Sequence, residues 1–488
     1  MAIPRSRLAI PLIAAVLALL VQSSAHAIVR SKKVRRSPSG KKVASSKKTA
    51  AKQPVRRTTS IKKARNVRSR YPAIVRVSAA VRSEANGLVS ATLDRTTDSI
   101  TIENPRALVP FFEQLYRARR DPASQPLRIL HYGDSHTAAD DWTHSLRELL
   151  QSQFGDGGGG FSLAGRPFAG YRRWDLQIGA SRNWKSEGLL SRDGDGLWGL
   201  GGVSINTTRP NESVTLDADC RLLEVFFLQQ PGGGSLELAD NGATVATFST
   251  GGELGPGYFS AEVTPGPHHF QLRTLDRAPV RLFGWVTEKE SGVTYETLGI
   301  NGAQASIIFR WDAQILAGNL ARRNPALIVL AYGTNEAGNS DWTQESYRAM
   351  FSALVAKLRE AAPAASILVL GPPDRFFRSR GRWLPYERVD RIIAAQREAA
   401  LESGCAYWDL REKMGGPGAM RQWVLAGLAQ GDHVHFTQAG YRRIGQVLFH
   451  DLMYNYGRYL KVREELIGQS LPVSPPLPLV HGNPNSDH

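Results

Sequence analysis

Apolar residues follow two different patterns along this chain, and each pattern indicates a different kind of sheet. In the first pattern, short runs that are apolar throughout are separated by stretches in which apolar residues recur every three or four positions. The apolar runs predict strands at residues 127–131, 326–332, 366–370 and 406–410. The periodic stretches predict helices at residues 104–120, 138–153, 343–361, 385–402 and 437–462, with further helical segments after residue 416. Apolar strands that alternate with helices form a parallel sheet covered on both faces. This pattern therefore predicts an α/β fold.

The second pattern occupies residues 172–292, where runs such as SVTLDA, LLEVFFL and GSLELA alternate apolar and polar residues. Turn sequences such as PGGG, NG and PG separate these runs. Short alternating strands between such turns are typical of a β-sandwich. We therefore predict an inserted all-β domain at residues 172–292, which divides the α/β part into residues 71–171 and 293–465. Within the first part, residues 71–100 alternate only weakly.

The N-terminal segment has the pattern of a secretory signal peptide. Two arginines precede an apolar core from Leu8 to Val21, and an A-x-A cleavage site ends at Ala27. The core is too short to favour a membrane-spanning helix. We predict a signal peptide over residues 1–27, cleaved near Ala27, and a periplasmic or otherwise exported protein. At the other end, the Pro-rich composition of residues 466–488 predicts a disordered tail.

The positive charge of the chain is concentrated in one segment. The net charge is +17, but residues 28–70 contain 17 Lys or Arg and no acidic residue, while residues 71–488 are almost neutral. This segment has too few apolar residues to bury a core and is predicted to be a disordered basic arm. In an exported protein the arm suits an anionic cell wall or membrane surface, or it acts only as a solvated spacer. A nucleic-acid partner is not expected, because it would require an intracellular location.

Cysteine content and metal-ligand spacing give little indication of further chemistry. Cys220 and Cys405 are the only cysteines. An oxidising compartment permits a bridge between them, so the sequence leaves their pairing open. Clustered His and Cys residues with zinc-ligand spacing do not occur. We therefore expect no metal and no cofactor.

Four short stretches contain residues suited to catalysis. The stretch HYGDSHTAADDW places Ser135 between a predicted strand and a predicted helix, at the edge where parallel sheets bind ligands. A serine at such a corner is either a nucleophile or an ordinary helix N-cap. The other stretches are LGINGAQAS with Gly302, AYGTNEA with Asn335, and DHVHFTQAGY with Asp432 and His435.

In this chain order, the four stretches resemble the blocks of the SGNH (GDSL-type) hydrolase superfamily, which carry Ser, Gly, Asn and an Asp-x-x-His pair. The sequence motifs GDSHTA, GINGAQ, YGTNEA, WDLREKMGG and DHVHF further resemble those of bacterial peptidoglycan O-acetylesterases. His136, which stands in place of the Leu of GDSL, fits that group. The resemblance covers residues 127–162 and 295–455. It implies a three-layer α/β/α fold with a parallel sheet, interrupted by an inserted jelly-roll sandwich that resembles a carbohydrate-binding module.

The resemblance and the chemistry of the side chains agree on a role for each block residue. His435 would take the proton of Ser135, while Asp432 would fix the tautomer of the imidazole and stabilise its charged form. The backbone N–H groups of Ser135 and Gly302 and the side-chain amide of Asn335 would form an oxyanion hole. This set of roles requires no cofactor.

Several neighbouring residues are candidates for supporting roles. His136 and His433 are possible substrate contacts, with packing or solvent contact as the alternative for each. Glu336 is a candidate for positioning the Asn335 loop. Arg375, in the stretch DRFFRSRGR, either meets carboxylates of a substrate or belongs to an exposed basic loop.

The function that the resemblance implies is an exported serine esterase that removes acetyl from the 6-hydroxyl of N-acetylmuramic acid in peptidoglycan. Three alternatives remain open on the residues alone: an acetyltransferase with the same Ser-His-Asp site, an esterase for another acetylated glycan, and a non-catalytic glycan-binding protein. The presence of all four blocks argues against the last alternative, because a degenerate site is expected to lose some of them.

Overall fold

The computed structural model describes residues 73–97, 101–121 and 125–467. Its α-helices are α1 (Ala79–Thr97), α2 (Val109–Arg120), α3 (Ser135–Ala138), α4 (Asp141–Phe154), α5 (Ala313–Arg323), α6 (Thr334–Ala337), α7 (Gln344–Ala361), α8 (Arg388–Glu402), α9 (Leu410–Met414), α10 (Met420–Leu425) and α11 (Gln438–Ile467). Its strands are β1 (Leu127–Gly133), β2 (Gly160–Leu163), β3 (Gln177–Ala180), β4 (Lys185–Gly188), β5 (Val203–Thr207), β6 (Ser213–Gln229), β7 (Ser235–Asp240), β8 (Ala243–Ser249), β9 (Gly255–Thr274), β10 (Val280–Glu288), β11 (Val293–Gly299), β12 (Leu327–Ala331), β13 (Ser366–Leu370), β14 (Phe376–Ser379), β15 (Arg382–Pro385) and β16 (Ala406–Trp408). The predicted signal peptide and basic arm, and residues 468–488 of the predicted tail, lie outside the described residues.

Five parallel strands form one sheet in the order β11-β1-β12-β13-β16. Four of these strands are the apolar runs predicted from the sequence, and the α/β fold is confirmed. Because β1 lies between β11 and β12, the chain leaves β1 toward one edge of the sheet and then crosses to the other side. In such sheets, ligands bind in the crevice at the carboxyl ends of the strands where the order reverses.

The edge strand β11 was not among the predicted strands of the parallel sheet. All seven of its residues are buried, although they include charged Glu296. The carboxylate of Glu296 forms an ion pair with the buried guanidinium of Arg323 on α5. A charged residue can occupy a buried strand when its partner lies elsewhere in the chain, and the apolar pattern then misses the strand.

Nine strands between residues 160 and 288 form a large antiparallel sheet in the order β4-β5-β10-β6-β9-β7-β8, with β2 paired to β10 and β3 paired to β6. The long strands β6 and β9 pair with each other over almost their whole length, with a register shift between Cys220 and Leu222. The predicted all-β segment therefore consists of antiparallel strands, and its sheet also takes in β2, which precedes residue 172.

The two sheets share a hydrophobic core. Along β1, Leu130 and Tyr132 belong to the same buried cluster as residues of β6 and β10, whereas Leu127 and Ile129 belong to a second cluster that includes residues of the surrounding helices. This division follows the alternation of side chains along a strand. The hydroxyl of Tyr132 also donates to the carbonyl oxygen of Leu200 at 3.1 Å.

The two cysteines are not paired. Both are buried, and burial raises the pKa of Cys220 to about 12 and that of Cys405 to about 11. Thiols with such pKa values are poor nucleophiles near neutral pH. Within residues 73–97, 101–121 and 125–467, no helix combines the length and the apolar composition that crossing a membrane requires.

Candidate active site

Ser135 is the first residue of α3, immediately after the turn that follows β1. The side chain of Asp134 caps this turn, because its Oδ1 accepts the backbone N–H of His136 at 2.9 Å. Glycine is required at position 133, since a Cβ there would collide with the side chain of Thr137. The strand-to-helix corner expected from the sequence thus places Ser135 at the carboxyl edge of the parallel sheet.

Ser135, His435 and Asp432 form one chain of hydrogen bonds. Oγ of Ser135 lies 2.9 Å from Nε2 of His435, and Nδ1 of His435 lies 2.7 Å from Oδ2 of Asp432. The other oxygen of Asp432 accepts the backbone N–H groups of Val434 and His435, each at 3.0 Å. These bonds hold the imidazole in the tautomer that presents an unprotonated Nε2 to the serine hydroxyl.

The electrostatics of this pair favour a charged imidazole and a charged carboxylate. Burial lowers the pKa of His435, but the hydrogen bond and negative charge of Asp432 outweigh it, so the pKa is raised above its ordinary value of 6.5. Burial raises the pKa of Asp432, but the hydrogen bond from His435 and the charge of His435 lower it to about 2. Asp432 is therefore ionised whenever His435 is neutral and able to accept a proton.

The three expected oxyanion donors follow three neighbouring strands, β1, β11 and β12. Among the described residues, the backbone N–H groups of Ser135 and Gly302 donate to no protein acceptor. Gly302 has a φ of 78°, a left-handed conformation that favours glycine. The side-chain amide of Asn335 donates to the carbonyl oxygen of Ala303 at 2.8 Å and lies 3.4 Å from Oδ2 of Asp134.

Glu336 joins the loops that carry Gly302 and Asn335. Its Oε1 accepts the backbone N–H of Ala305 at 2.7 Å, and its Oε2 accepts the backbone N–H of Gly333 at 3.0 Å. The side chain is fully buried, and burial raises its pKa to about 7. The sequence suggested that Glu336 positions the Asn335 loop, and these two bonds give that suggestion a physical basis.

His136 lies behind the triad. It is 4% exposed, its Nδ1 lies 2.8 Å from the hydroxyl of Tyr441, and its ring centroid lies 5.2 Å from that of His435. Burial lowers its pKa well below the ordinary value, so the ring is neutral. A direct contact of His136 with substrate stays a prediction, and the observed contacts are those of a packing residue. Tyr441 has no distinguishing feature in the sequence beyond its place in the last helix.

His433 packs against the hairpin formed by β14 and β15. Its ring stacks on Trp383 with centroids 4.3 Å apart, and its backbone oxygen accepts the N–H of Phe376 at 3.1 Å. Its φ of 58° is unusual for a residue with a side chain. The hairpin, which the sequence suggested as an exposed basic loop, thus supports the backbone next to Asp432. A substrate contact of His433 stays a prediction.

No group of three or more His, Cys, Asp or Glu side chains in the described part of the chain is arranged to hold a metal ion.

Comparison with known proteins bears on this arrangement. Residues 264–443 match the model of the GDSL-like Lipase/Acylhydrolase family, a range that includes Gly302, Asn335, Asp432 and His435 but not Ser135. A solved structure of a peptidoglycan O-acetylesterase has 29% sequence identity and a TM-score of 0.62, and the match covers 72% of this chain and 96% of that chain. No curated protein sequence matches the chain.

Two further solved structures are similar at a lower level. A family two carbohydrate esterase from Clostridium thermocellum has 12% identity and a TM-score of 0.26, over 52% of this chain and 95% of that chain. One from Cellvibrio japonicus has 11% identity and a TM-score of 0.25, over 58% and 99%. Similarity at this level carries no argument about the present chain. The match of residues 264–443 to the GDSL-like Lipase/Acylhydrolase family and the similarity to the peptidoglycan O-acetylesterase structure, however, agree with the order and placement of the four blocks, and they identify the chain as a carboxylic ester hydrolase.

Proposed function

We propose that this chain is an exported serine esterase that removes O-acetyl groups from peptidoglycan, at the 6-hydroxyl of N-acetylmuramic acid. The observation that carries the proposal is the hydrogen-bonded series Ser135, His435 and Asp432 beside two backbone N–H groups that lack protein acceptors in the described structure. The similarity to a solved peptidoglycan O-acetylesterase supports the choice of substrate.

The proposed reaction proceeds through an acetyl-enzyme. Nε2 of His435 accepts the hydroxyl proton as Oγ of Ser135 attacks the acetyl carbonyl, and ionised Asp432 stabilises the imidazolium. The N–H groups of Ser135 and Gly302, with the amide of Asn335, donate to the oxyanion. His435 then protonates the departing sugar oxygen. A water molecule, deprotonated by His435, attacks the acetyl-enzyme and releases acetate.

We also propose the division of the chain that the sequence indicates. Residues 71–171 and 293–465 form the hydrolase part, and residues 172–292 form a jelly roll that holds a glycan strand over the site. The position of Leu190 supports this role, because a Cβ on Gly302 would lie 3.1 Å from Cδ1 of Leu190. The predicted signal peptide over residues 1–27 would deliver the enzyme to the periplasm, where the basic arm would contact anionic wall or membrane.

Acetate release from purified O-acetylated peptidoglycan tests the proposal. Wild-type protein should release acetate, and the Ser135→Ala protein should not. Transfer of acetyl to an added sugar acceptor in place of acetate release would favour the acetyltransferase. Binding of the glycan without either reaction would favour the non-catalytic protein. Acetate release from acetylated xylan alone would point to another glycan.

A further inference from the structure

Arg375 links the loop that carries Asn335 to the loop that carries Asp432 and His435, and no carboxylate of the described residues pairs with it. Its Nη1 donates to the carbonyl oxygen of Thr334 at 2.5 Å, and its guanidinium carbon lies 5.0 Å from the ring centroid of Tyr386. Its Nε is buried and has no hydrogen-bond partner in the described structure. The guanidinium of Arg375 thus contacts one neutral carbonyl and one aromatic ring, and several of its N–H groups make no hydrogen bond to the described residues.

Other buried arginines of the described structure are ion-paired. Arg147 lies 2.7 Å from Asp140, Arg173 lies 2.7 Å from Asp175, and Arg323 lies 2.9 Å from Glu288. Arg375, although half-buried, has no carboxylate oxygen within 4.0 Å among the residues described. The carboxylates of Asp134 and Asp432 act on this partly desolvated guanidinium through space without pairing with it directly, so an anion bound directly to it would stabilise its charge further.

The position of Arg375 relates it to the reacting groups. Thr334, to which it donates, directly precedes Asn335. The next residue, Phe376, bonds to the backbone of His433, which lies between Asp432 and the rest of the His435 loop. The charge of Arg375 acts on Asp134, His136 and His435. An anion bound to Arg375 would therefore lie beside the ester that Ser135 attacks.

We propose that Arg375 is a specificity residue that binds a carboxylate of the acetylated substrate. This inference rests on the proposed function, because it names a charged group of the same glycan. A guanidinium fork suits a carboxylate, to which it donates two parallel hydrogen bonds. The carboxylate comes either from the lactyl group of a muramic acid residue or from a peptide attached to it.

Inhibition of the wild-type enzyme tests the binding without any substitution. Hydrolysis of 4-nitrophenyl acetate is followed in the presence of N-acetylmuramic acid, its methyl ester, muramoyl dipeptide or N-acetylglucosamine. We expect the ligands with a free carboxylate to inhibit at concentrations roughly 10-fold to 100-fold lower than the two neutral sugars, which is the range for losing a hydrogen-bonded charge. Stronger inhibition by N-acetylmuramic acid identifies the lactyl carboxylate, and stronger inhibition by the dipeptide identifies the peptide. Equal inhibition by charged and neutral ligands overturns the proposal.

Substitution then assigns the effect to the residue. For Arg375→Gln, the preference for the charged ligands over the neutral ones should disappear, and Arg375→Lys, which keeps the charge but not the fork, should retain part of it. Arg277→Gln removes the same charge from an exposed position in the turn between β9 and β10 and should leave the preference within twofold of wild type. A full preference in Arg375→Gln contradicts the assignment, as does loss of the preference in Arg277→Gln. If wild-type protein releases no acetate from wall material but keeps the preference, the proposed function fails and the carboxylate site stands.

Discussion

The hydroxyl of Ser135 is the group that would form the acetyl-enzyme, and its loss should abolish turnover. We expect Ser135→Ala to lower kcat on a small acetyl ester by at least about 10⁴-fold, because the imidazole and oxyanion donors cannot replace a nucleophile. The side chain is small and only partly buried, so the free energy of unfolding should change by less than about 1 kcal/mol. Steady-state kinetics and chemical unfolding measure the two effects. Activity within tenfold of wild type would contradict the assignment.

The pH dependence should report His435. Because the base must be neutral, kcat/KM should fall as the pH drops through a pKa above 6.5, since the charge of Asp432 stabilises the protonated ring. Asp432→Asn removes that charge, so the acidic limb should move to lower pH while the maximal rate falls. Profiles of kcat/KM between pH 5 and 9 for both proteins measure the shift. A limb that stays in place or moves upward in Asp432→Asn would show that another group titrates.

At the scale of single residues, the sequence identifies those site residues whose role is indicated by their neighbours along the chain. Ser135 and Asn335 each come a few residues after an apolar strand, and Asp432 and His435 are close in the chain, so short stretches are enough to identify them. Arg375 differs, because its importance depends on the carboxylate that it lacks. That absence is a property of the folded surroundings, and the sequence offers a basic stretch that is equally compatible with an exposed loop.

At the scale of elements, Glu336 connects the loops after β11 and β12, and breaking this connection should impair catalysis more than binding. In Glu336→Gln one of the two side-chain acceptors becomes an amide nitrogen that faces a backbone N–H. We expect kcat to fall about 10-fold to 100-fold with little change in KM, because misplaced donors weaken the transition state. The free energy of unfolding should fall by about 1–3 kcal/mol.

The matched control is Glu360→Gln, which removes a carboxylate from an exposed position on α7. It should leave kcat and stability near wild type. If Glu336→Gln lowers stability but leaves kcat unchanged, the residue is structural and does not position the oxyanion donors.

Elements were predictable where their burial appears in the sequence as an unbroken apolar run or as a regular period. The four apolar strands satisfy this condition. Strand β11 does not, because it contains the charged residue Glu296, which is buried in an ion pair with Arg323. Helix α1 was missed for a different reason. Its buried stripe of Ala85, Val89 and Leu93 recurs every fourth residue, but polar residues surround it and leave only a weak pattern.

On the scale of the whole molecule, the charge of residues 28–70 should affect binding to the wall and not the chemistry. Deleting them removes 17 positive charges and none of the site residues. Hydrolysis of a small acetyl ester should stay within about twofold of wild type. Sedimentation with insoluble peptidoglycan should weaken, and the difference from wild type should be largest at low salt, where charge attraction is least screened. A difference that does not depend on salt would contradict an electrostatic role.

Deleting residues 172–292 should instead abolish folding and small-ester hydrolysis, because the antiparallel sheet shares its core with the parallel sheet. The deletion leaves β2 without its partner β10. It also exposes Tyr132 and Leu298, whose side chains are 0% and 3% exposed in the intact fold. Every large apolar side chain uncovered costs about 1.5–3 kcal/mol, so a few of them exceed the stability of an ordinary domain. We therefore expect a protein that lacks cooperative thermal unfolding and small-ester activity, with the deletion of residues 28–70 as the folded control. Circular dichroism and esterase assays measure both properties. A soluble, cooperatively unfolding product that keeps small-ester activity would show that the hydrolase part folds independently of the insertion.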